Sequence, residues 1–371
     1  MARYNKRPKY DSSAPGLFDD FDDFRPYGTG AVPAAAPIFP EPEGSGSLPV
    51  YPAIEEAAAK FRVEAGSSRA GRRVPDAIFD ADDLTPMEDP APVDKLGFIS
   101  FGSGSSGNCA YIGSANGGIL VDAGVDAVEV EAELRRFGIG MDSIKGIILT
   151  HDHSDHVRYV YPLVRKRPHI GIYCTPRVLN GMLRRHNISR RIKDYHRPIY
   201  KEHPFSIGGF SIVAFEVPHD GSDNAGFFIT SGRHRIAVAT DLGEVTERAD
   251  FYMRQANYIM LEANYDAAML AYGTYPEYLK ARIRSANGHL CNDDAARYLA
   301  SIVTPALRRV FLCHLSKDNN TPELALRAVE SALSSVGITV GDGSGSPYAN
   351  RASLQLQALP RFDSTGLIPL R

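Results

Sequence analysis

The chain has 371 residues, with 41 Lys+Arg against 44 Asp+Glu and a formal net charge of −3. That length admits one large or two ordinary domains, and a charge so near zero argues neither for nor against a nucleic-acid partner, so local distribution has to decide. No stretch approaches the ~18 consecutive apolar residues of a membrane span, and the opening Met1-Ala2-Arg3-Tyr4-Asn5-Lys6-Arg7 is not followed by an apolar signal core. Cys109, Cys174, Cys291 and Cys313 are scattered and form no CxxC pair, which reads as reduced thiols in a cytoplasmic protein.

Residues 1–93 hold about half of the 25 prolines, with Gly/Ser/Ala runs, and read as a disordered arm. Ile54 to Val63 has helical composition but is too short to persist unpacked. The interleaved aromatic and acidic residues Leu17-Phe18-Asp19-Asp20-Phe21 suggest a solubilising tail, with docking on a protein partner as the second reading.

From Lys95 apolar runs appear, punctuated by glycine. Leu96 to Phe101, Cys109 to Gly113 and Gly118 to Gly124 read as strands, the first two joined by the small-residue loop Gly102-Ser103-Gly104-Ser105-Ser106-Gly107-Asn108. The loop lacks the Lys-Ser/Thr ending of a phosphate-binding P-loop, so a hairpin connection competes with a close-approach loop. Ala127 to Phe137 has helical spacing, and a further strand begins near Lys145.

That strand runs into His151-Asp152-His153-Ser154-Asp155-His156. Three imidazoles and two carboxylates cannot sit unpartnered in an apolar core, and metal ions would satisfy them. In an extended segment His151, His153 and Asp155 share a face, while a turn at Ser154 would free His156 to serve a neighbouring locus, a geometry suiting two metals better than one. From Val157 to Lys193 there is no Asp or Glu, while Arg158, Arg165, Lys166, Arg184, Arg185, Arg190 and Arg191 all occur. Placed directly after the metal motif, this run is the candidate contact for an anionic polymer; a solvated helix face is the plainer alternative.

Three more strands end in metal-capable side chains: Phe210 to Val217 before His219, Arg235 to Thr240 before Asp241, and Arg309 to Cys313 before His314. Helical segments over Thr274 to Ser285, Asp293 to Val303 and Thr321 to Val336 alternate with them, giving a mixed α+β layout with ligands gathered at one edge of the sheets. Residues 94–340 form the expected domain, and the Gly/Ser-rich segment 341–371 is expected to be loosely held.

This pattern, HxHxDH after a strand and then a His, an Asp and a final His, resembles the metallo-β-lactamase superfamily. Within it, Gly102 to Cys109, Leu261-Glu262-Ala263-Asn264-Tyr265-Asp266, Gly288-His289-Leu290-Cys291-Asn292 and His314-Leu315-Ser316-Lys317-Asp318-Asn319-Asn320-Thr321-Pro322 resemble the YycJ/WalJ group. The resemblance implies a four-layer αββα sandwich and two divalent ions, Zn2+ first and Mn2+ as the alternative. His151, His153 and His219 would hold one ion, Asp155, His156 and His314 the other, and Asp241 would be shared, with Asp122 and Asn108 supporting. It also implies a phosphodiesterase that uses a metal-bridging hydroxide, of nuclease type and DNA-exonuclease-like, with nucleic acid as its partner.

Glu262-Ala263 and Gly288-His289 are similar to elements of the RNase Z-type phosphodiesterase branch. By that likeness His289 donates to the phosphoryl or leaving oxygen and Glu262 orients it, so the candidate catalytic residues are Asp155, Glu262 and His289. A His capping the helix that starts near Asp293 is the structural alternative. The rival functions are a small-molecule or cyclic phosphodiesterase, a thioester, lactone or β-lactam hydrolase of the same fold, and a metal-dependent binding scaffold.

Overall fold

The computed structural model describes residues 95–341 and 354–370. The arm expected over 1–93 lies outside the described residues. The first sheet holds β1 (Leu96–Gly102), β2 (Cys109–Ser114), β3 (Gly117–Val121), β4 (Ile144–Ile148), β5 (Gly171–Cys174) and β6 (His196–Pro198) in that order, with β15 (Ile368–Leu370) outside β1. The second holds β7 (Phe205–Ile207), β8 (Phe210–Glu216), β9 (Ala225–Ser231), β10 (His234–Ala239), β11 (Tyr258–Glu262) and β12 (Arg309–Cys313), then β14 (Leu354–Ala358) and the edge strand β13 (Val340–Gly341).

Alternation along each strand builds the layers. On β11, Tyr258 and Met260 face the first sheet while Ile259 and Leu261 face helices, and on β12 Phe311 and Val310 divide the same way. Phe98 and Phe311 stack across the inter-sheet seam at 4.3 Å between centroids. Outside the first sheet pack α1 (Ala127–Arg136), α3 (Val160–Lys166) and α4 (Pro176–Arg185), through Leu134, Val164 and Met182 among others. Outside the second pack α5 (Glu247–Met253), α8 (Asn292–Ile302) and α9 (Pro322–Ser335), through Met253, Leu299 and Val329. The result is the expected αββα sandwich. Strands β3 to β5 and β10 to β12 are parallel and covered on both faces, hence their unbroken apolar runs.

Three expectations change. Within the stretch expected to be loosely held, residues 354–370 join the fold: β14 pairs in parallel with β12, burying Leu354 and Leu356, and β15 pairs with β1. The helix expected over Thr274 to Ser285 is shorter, α7 (Glu277–Ile283), starting after Pro276, and a short helix not expected from the sequence, α6 (Ala267–Tyr272), precedes it across Gly273. The turn expected at Ser154 is a single helical turn, α2 (Ser154–Val157), and it carries Asp155 along with His156 away from the His151/His153 face that Asp155 was expected to share. Among the described residues no helix is long and apolar enough to cross a membrane.

Candidate metal centre

The site forms where strand ends converge, and the backbone turns sharply there. Asp122, Asp241 and His314 follow β3, β10 and β12 with φ of 60°, 53° and 52°, left-handed values that few non-glycine residues adopt. Each turn swings a side chain off its strand and into the site. The α2 turn is seated by backbone bonds from Asn108 N to the Asp155 carbonyl (2.7 Å) and from Ala123 N to the His156 carbonyl (2.8 Å). Gly124 permits this contact, since a Cβ there would fall 1.6 Å from the Asp155 carbonyl oxygen.

Asp122 is buried and accepts from Thr150 N (2.9 Å), the Thr150 hydroxyl (3.0 Å) and His156 Nδ1 (2.8 Å). His156 Nε2 is thereby aimed at Asp155 Oδ2 (3.4 Å) and Asp241 Oδ2 (3.3 Å). The Asn108 amide donates to Asp155 Oδ2 at 3.1 Å and to the Gly104 carbonyl at 3.0 Å, so the small-residue loop supports the motif from the side. His151 Nδ1 lies 3.0 Å from the Thr150 hydroxyl, while its Nε2 is buried without a hydrogen-bond partner. His219 Nδ1 donates to the Gly288 carbonyl (3.0 Å), and His219 Nε2 faces His153 Nδ1 at 3.3 Å.

Asp241 stands between the two groups, with Oδ1 3.2 Å from His314 Nδ1 and 3.8 Å from His219 Nε2. Donor atoms close enough to share an ion occur in the sets His151/His153/His219, Asp155/His156/His314, His151/His156/Asp241 and Asp241/Glu262/His289/His314. The first two sets match the division read from the sequence. Glu262 is fully buried: its Oε1 lies 2.8 Å from His289 Nδ1 and 3.0 Å from His314 Nδ1, while its Oε2 accepts from Leu242 N (2.9 Å) and Leu290 N (3.3 Å). His289 does not cap the following helix, because the cap of α8 is the Cys291 sulfur, accepting from Asp294 N.

The protonation pattern follows from burial and neighbours. Burial together with neighbouring imidazoles pushes His151 well below its ordinary pKa, and His153 falls to about 4. Burial also opposes charge on His156 and His314, but the surrounding carboxylates outweigh it, holding His156 well above its usual range and raising His314 to about 10. Burial likewise resists ionisation of Asp155 and Asp241, and the imidazoles reverse it, leaving both well below the usual carboxylate range. His289 is raised despite burial because Glu262 and Asp241 face it.

Sequence reasoning missed several supports. Asp152 is fully buried, accepting from Ser222 N (2.8 Å) and the Ser222 hydroxyl (2.7 Å), so it ties the motif to the loop carrying His219. Asp220 Oδ1 lies 3.4 Å from both His153 Nε2 and His219 Nε2, and Arg282 Nε donates to its Oδ2 at 2.7 Å. Their signal was adjacency to a ligand histidine. Ser103, whose hydroxyl accepts from His314 N at 2.9 Å, gave none.

The seven basic residues singled out from the acid-free run are all exposed, and they sit on different elements. Arg158 follows α2 directly, and Arg185 reaches Asp152 at 3.6 Å, keeping it and Arg184 at the motif edge. Arg165 and Lys166 close α3, which leads to the start of β5 at the opposite edge of the sheet, while Arg190 and Arg191 open a 3-10 turn entering the start of β6.

A family model described as a beta-lactamase superfamily domain matches residues 118–315. The exodeoxyribonuclease YycJ of Bacillus anthracis is 33% identical over 247 residues, 67% of this chain and 92% of that protein. The exodeoxyribonuclease WalJ of Streptococcus pneumoniae is 29% identical over 239 residues, 64% of this chain and 88% of that one. The metallo-beta-lactamase fold protein YhfI from Bacillus subtilis superposes with a TM-score of 0.51 at 15% identity, covering 73% of this chain and 99% of the other, a likeness of fold.

Proposed function

Because the chain belongs to the beta-lactamase superfamily, we propose that it is a two-metal phosphodiesterase acting as a nuclease on DNA. The observation that carries the reading is the Glu262–His289 pair set against the histidine–aspartate cluster. The names of the relatives, exodeoxyribonucleases, support the substrate.

The side chains present fit two divalent ions. The partnerless, buried Nε2 of His151 and the unprotonated state of His151 and His153 suit a nitrogen-rich group with His219. Asp155, His156 and His314 offer a mixed nitrogen and oxygen set, with Asp241 between, a combination that takes Zn2+ or Mn2+. Bound there, such ions would supply a water of lowered pKa and neutralise charge on the phosphoryl oxygens.

The chain's own residues do the rest. Glu262, pinned by two backbone N–H groups, holds His289 by Nδ1, which leaves Nε2 to donate to the phosphoryl or leaving oxygen. The facing Glu262 and Asp241 carboxylates raise the pKa of His289 and so favour the protonated form that an acid requires. Asp122 and Asn108 fix the ring of His156 and the carboxylate of Asp155. The four cysteines, all buried and unpaired, support placing the protein in the reducing cytoplasm.

The test is hydrolysis of an end-labelled DNA strand by His289→Ala protein whose metal content has been measured. Loss of about 10²-fold or more in kcat with metal content retained is the expected result. Full activity in that variant would remove His289 from the mechanism, and thioester, lactone or β-lactam hydrolysis without DNA cleavage would overturn the nuclease reading.

A further inference from the structure

Between Glu262 and His289 the chain leaves the second sheet and forms a strap over residues 266–288, containing α6 and α7. Its base is closed by the bridge between Tyr265 and Cys291 and by the bond from Asp266 N to the Asn319 carbonyl (2.8 Å). It rests on a small core of its own, Leu270 with Tyr265 and Cys291, against which Tyr275 and Ile283 pack.

Two tethers fix its position relative to the candidate metal centre. The Tyr275 hydroxyl donates to Asp318 Oδ2 at 2.8 Å, four residues beyond His314. On the other side Arg282 holds Asp220, the neighbour of His219. The strap therefore reaches from the loop of one candidate ligand to the loop of another, with His289 at its foot.

The strap carries two tyrosines that no other described residue covers. Tyr272, at the end of α6, is 91% exposed, and Tyr278, on α7, is 75% exposed. Tyrosine rings ordinarily bury much of their apolar face, so two bare rings on a 23-residue strap contribute little to folding. Tyr278 stands one turn before Arg282, and residues four apart on a helix share a face, with Cβ atoms about 6 Å from one another. The helix face that presents the Tyr278 ring is thus the one whose arginine reaches the His153/His219 side of the site. Arg284 adds exposed positive charge on the same helix end.

We propose that this strap is a stacking platform for single-stranded nucleic acid, Tyr278 and then Tyr272 receiving unpaired bases beside the scissile phosphate. Aromatic faces accept any base, while Arg284 favours the phosphates between them and Arg282 stays paired with Asp220. The proposal rests on the nuclease reading and deepens it: the substrate strand is bound unpaired.

The experiment uses the full-length, metal-loaded protein and a fluorescent phosphorothioate single-stranded deoxyoligonucleotide, beside the same strand carrying abasic sites. Tyr278→Ala should weaken binding of the base-bearing strand by about tenfold, Tyr278→Phe should bind as the native protein does, and the abasic strand should not distinguish the three. Tyr272→Ala should show the same dependence on the bases. A thermal midpoint unaltered by these exposed substitutions confirms that each variant is folded. Equal affinity of Tyr278→Ala and native protein for the base-bearing strand, or an equal loss on the abasic strand, would overturn the platform while leaving the nuclease reading standing. Native protein that binds and cleaves no oligonucleotide would refute that reading, and the platform with it. A platform for another protein would show as a partner displaced by Tyr278→Ala with oligonucleotide affinity unchanged.

Discussion

Asp122→Asn offers a direct probe of the second metal group without touching a ligand. The left-handed backbone at this position accepts Asn nearly as readily as Asp, so the substitution leaves the turn intact. What changes is hydrogen bonding. Asp122 is buried and its two oxygens accept from Thr150 N, the Thr150 hydroxyl and His156 Nδ1. An amide has one accepting oxygen, so its NH2 must face either the Thr150 donors or His156 Nδ1. If it faces His156, the ring must carry its proton on Nε2, the atom turned toward Asp155 and Asp241. If it faces Thr150 instead, the buried Thr150 N–H loses its acceptor, at about 1–3 kcal/mol.

Loss of such a supporting carboxylate typically weakens metal binding 10–100-fold, about 1.4–2.8 kcal/mol at 1.4 kcal/mol per decade. Competition for Zn2+ or Co2+ against a chromophoric chelator resolves the two binding steps. The ion held by Asp155, His156 and His314 should weaken by that factor, and the ion held by His151, His153 and His219 should change less. Two unchanged binding steps would show that His156 holds no ion through Nε2.

Three further outcomes follow. Leu356→Ala, in β14, should lower unfolding free energy by about 2–5 kcal/mol in urea titrations, and no loss would detach residues 354–358 from the core. In metal-free protein His156 and His314 are held above their ordinary pKa, His314 at about 10, so both are charged at neutral pH and must lose protons to bind an ion; metal uptake should release protons and tighten as pH rises toward 10, as calorimetry in buffers of different ionisation enthalpy would show, whereas pH-independent uptake would contradict the protonation pattern. Reversing Arg158 and Arg184, at the motif edge, should weaken DNA binding and flatten its salt dependence, while reversing Arg165 and Lys166, at the far edge, should do neither; equal effects would make the whole run one contact surface. Arg185 is left in place because it pairs with Asp152.

The metal-capable residues were legible because each stands just past a β-rich run, and a cluster of imidazoles and carboxylates has few structural uses. The mixed α and β layout was legible from the same runs, whereas the αββα layer order came from the resemblance to the metallo-β-lactamase superfamily. The turns that aim the ligands were hidden, since Asp122, Asp241 and His314 take left-handed backbone with no glycine to announce it. Asp152 and Asp220 were masked by the ligands beside them. The strand at Leu354-Gln355-Leu356-Gln357 does show period-two alternation, but the glycines and serines before it suggested loose chain. Tyr278 lay unremarked inside the helix expected over Thr274 to Ser285 and Tyr272 just before it; their exposure and the tether through Arg282 give them significance.

The most direct test of the two-metal reading combines elemental analysis of the purified protein with an assay of DNA end-labelled at each terminus. Two divalent ions per chain, falling by half or more in Asp241→Asn along with all nucleotide release, is the expected result. A single ion per chain, or nucleotide release at the native rate in Asp241→Asn, would contradict it.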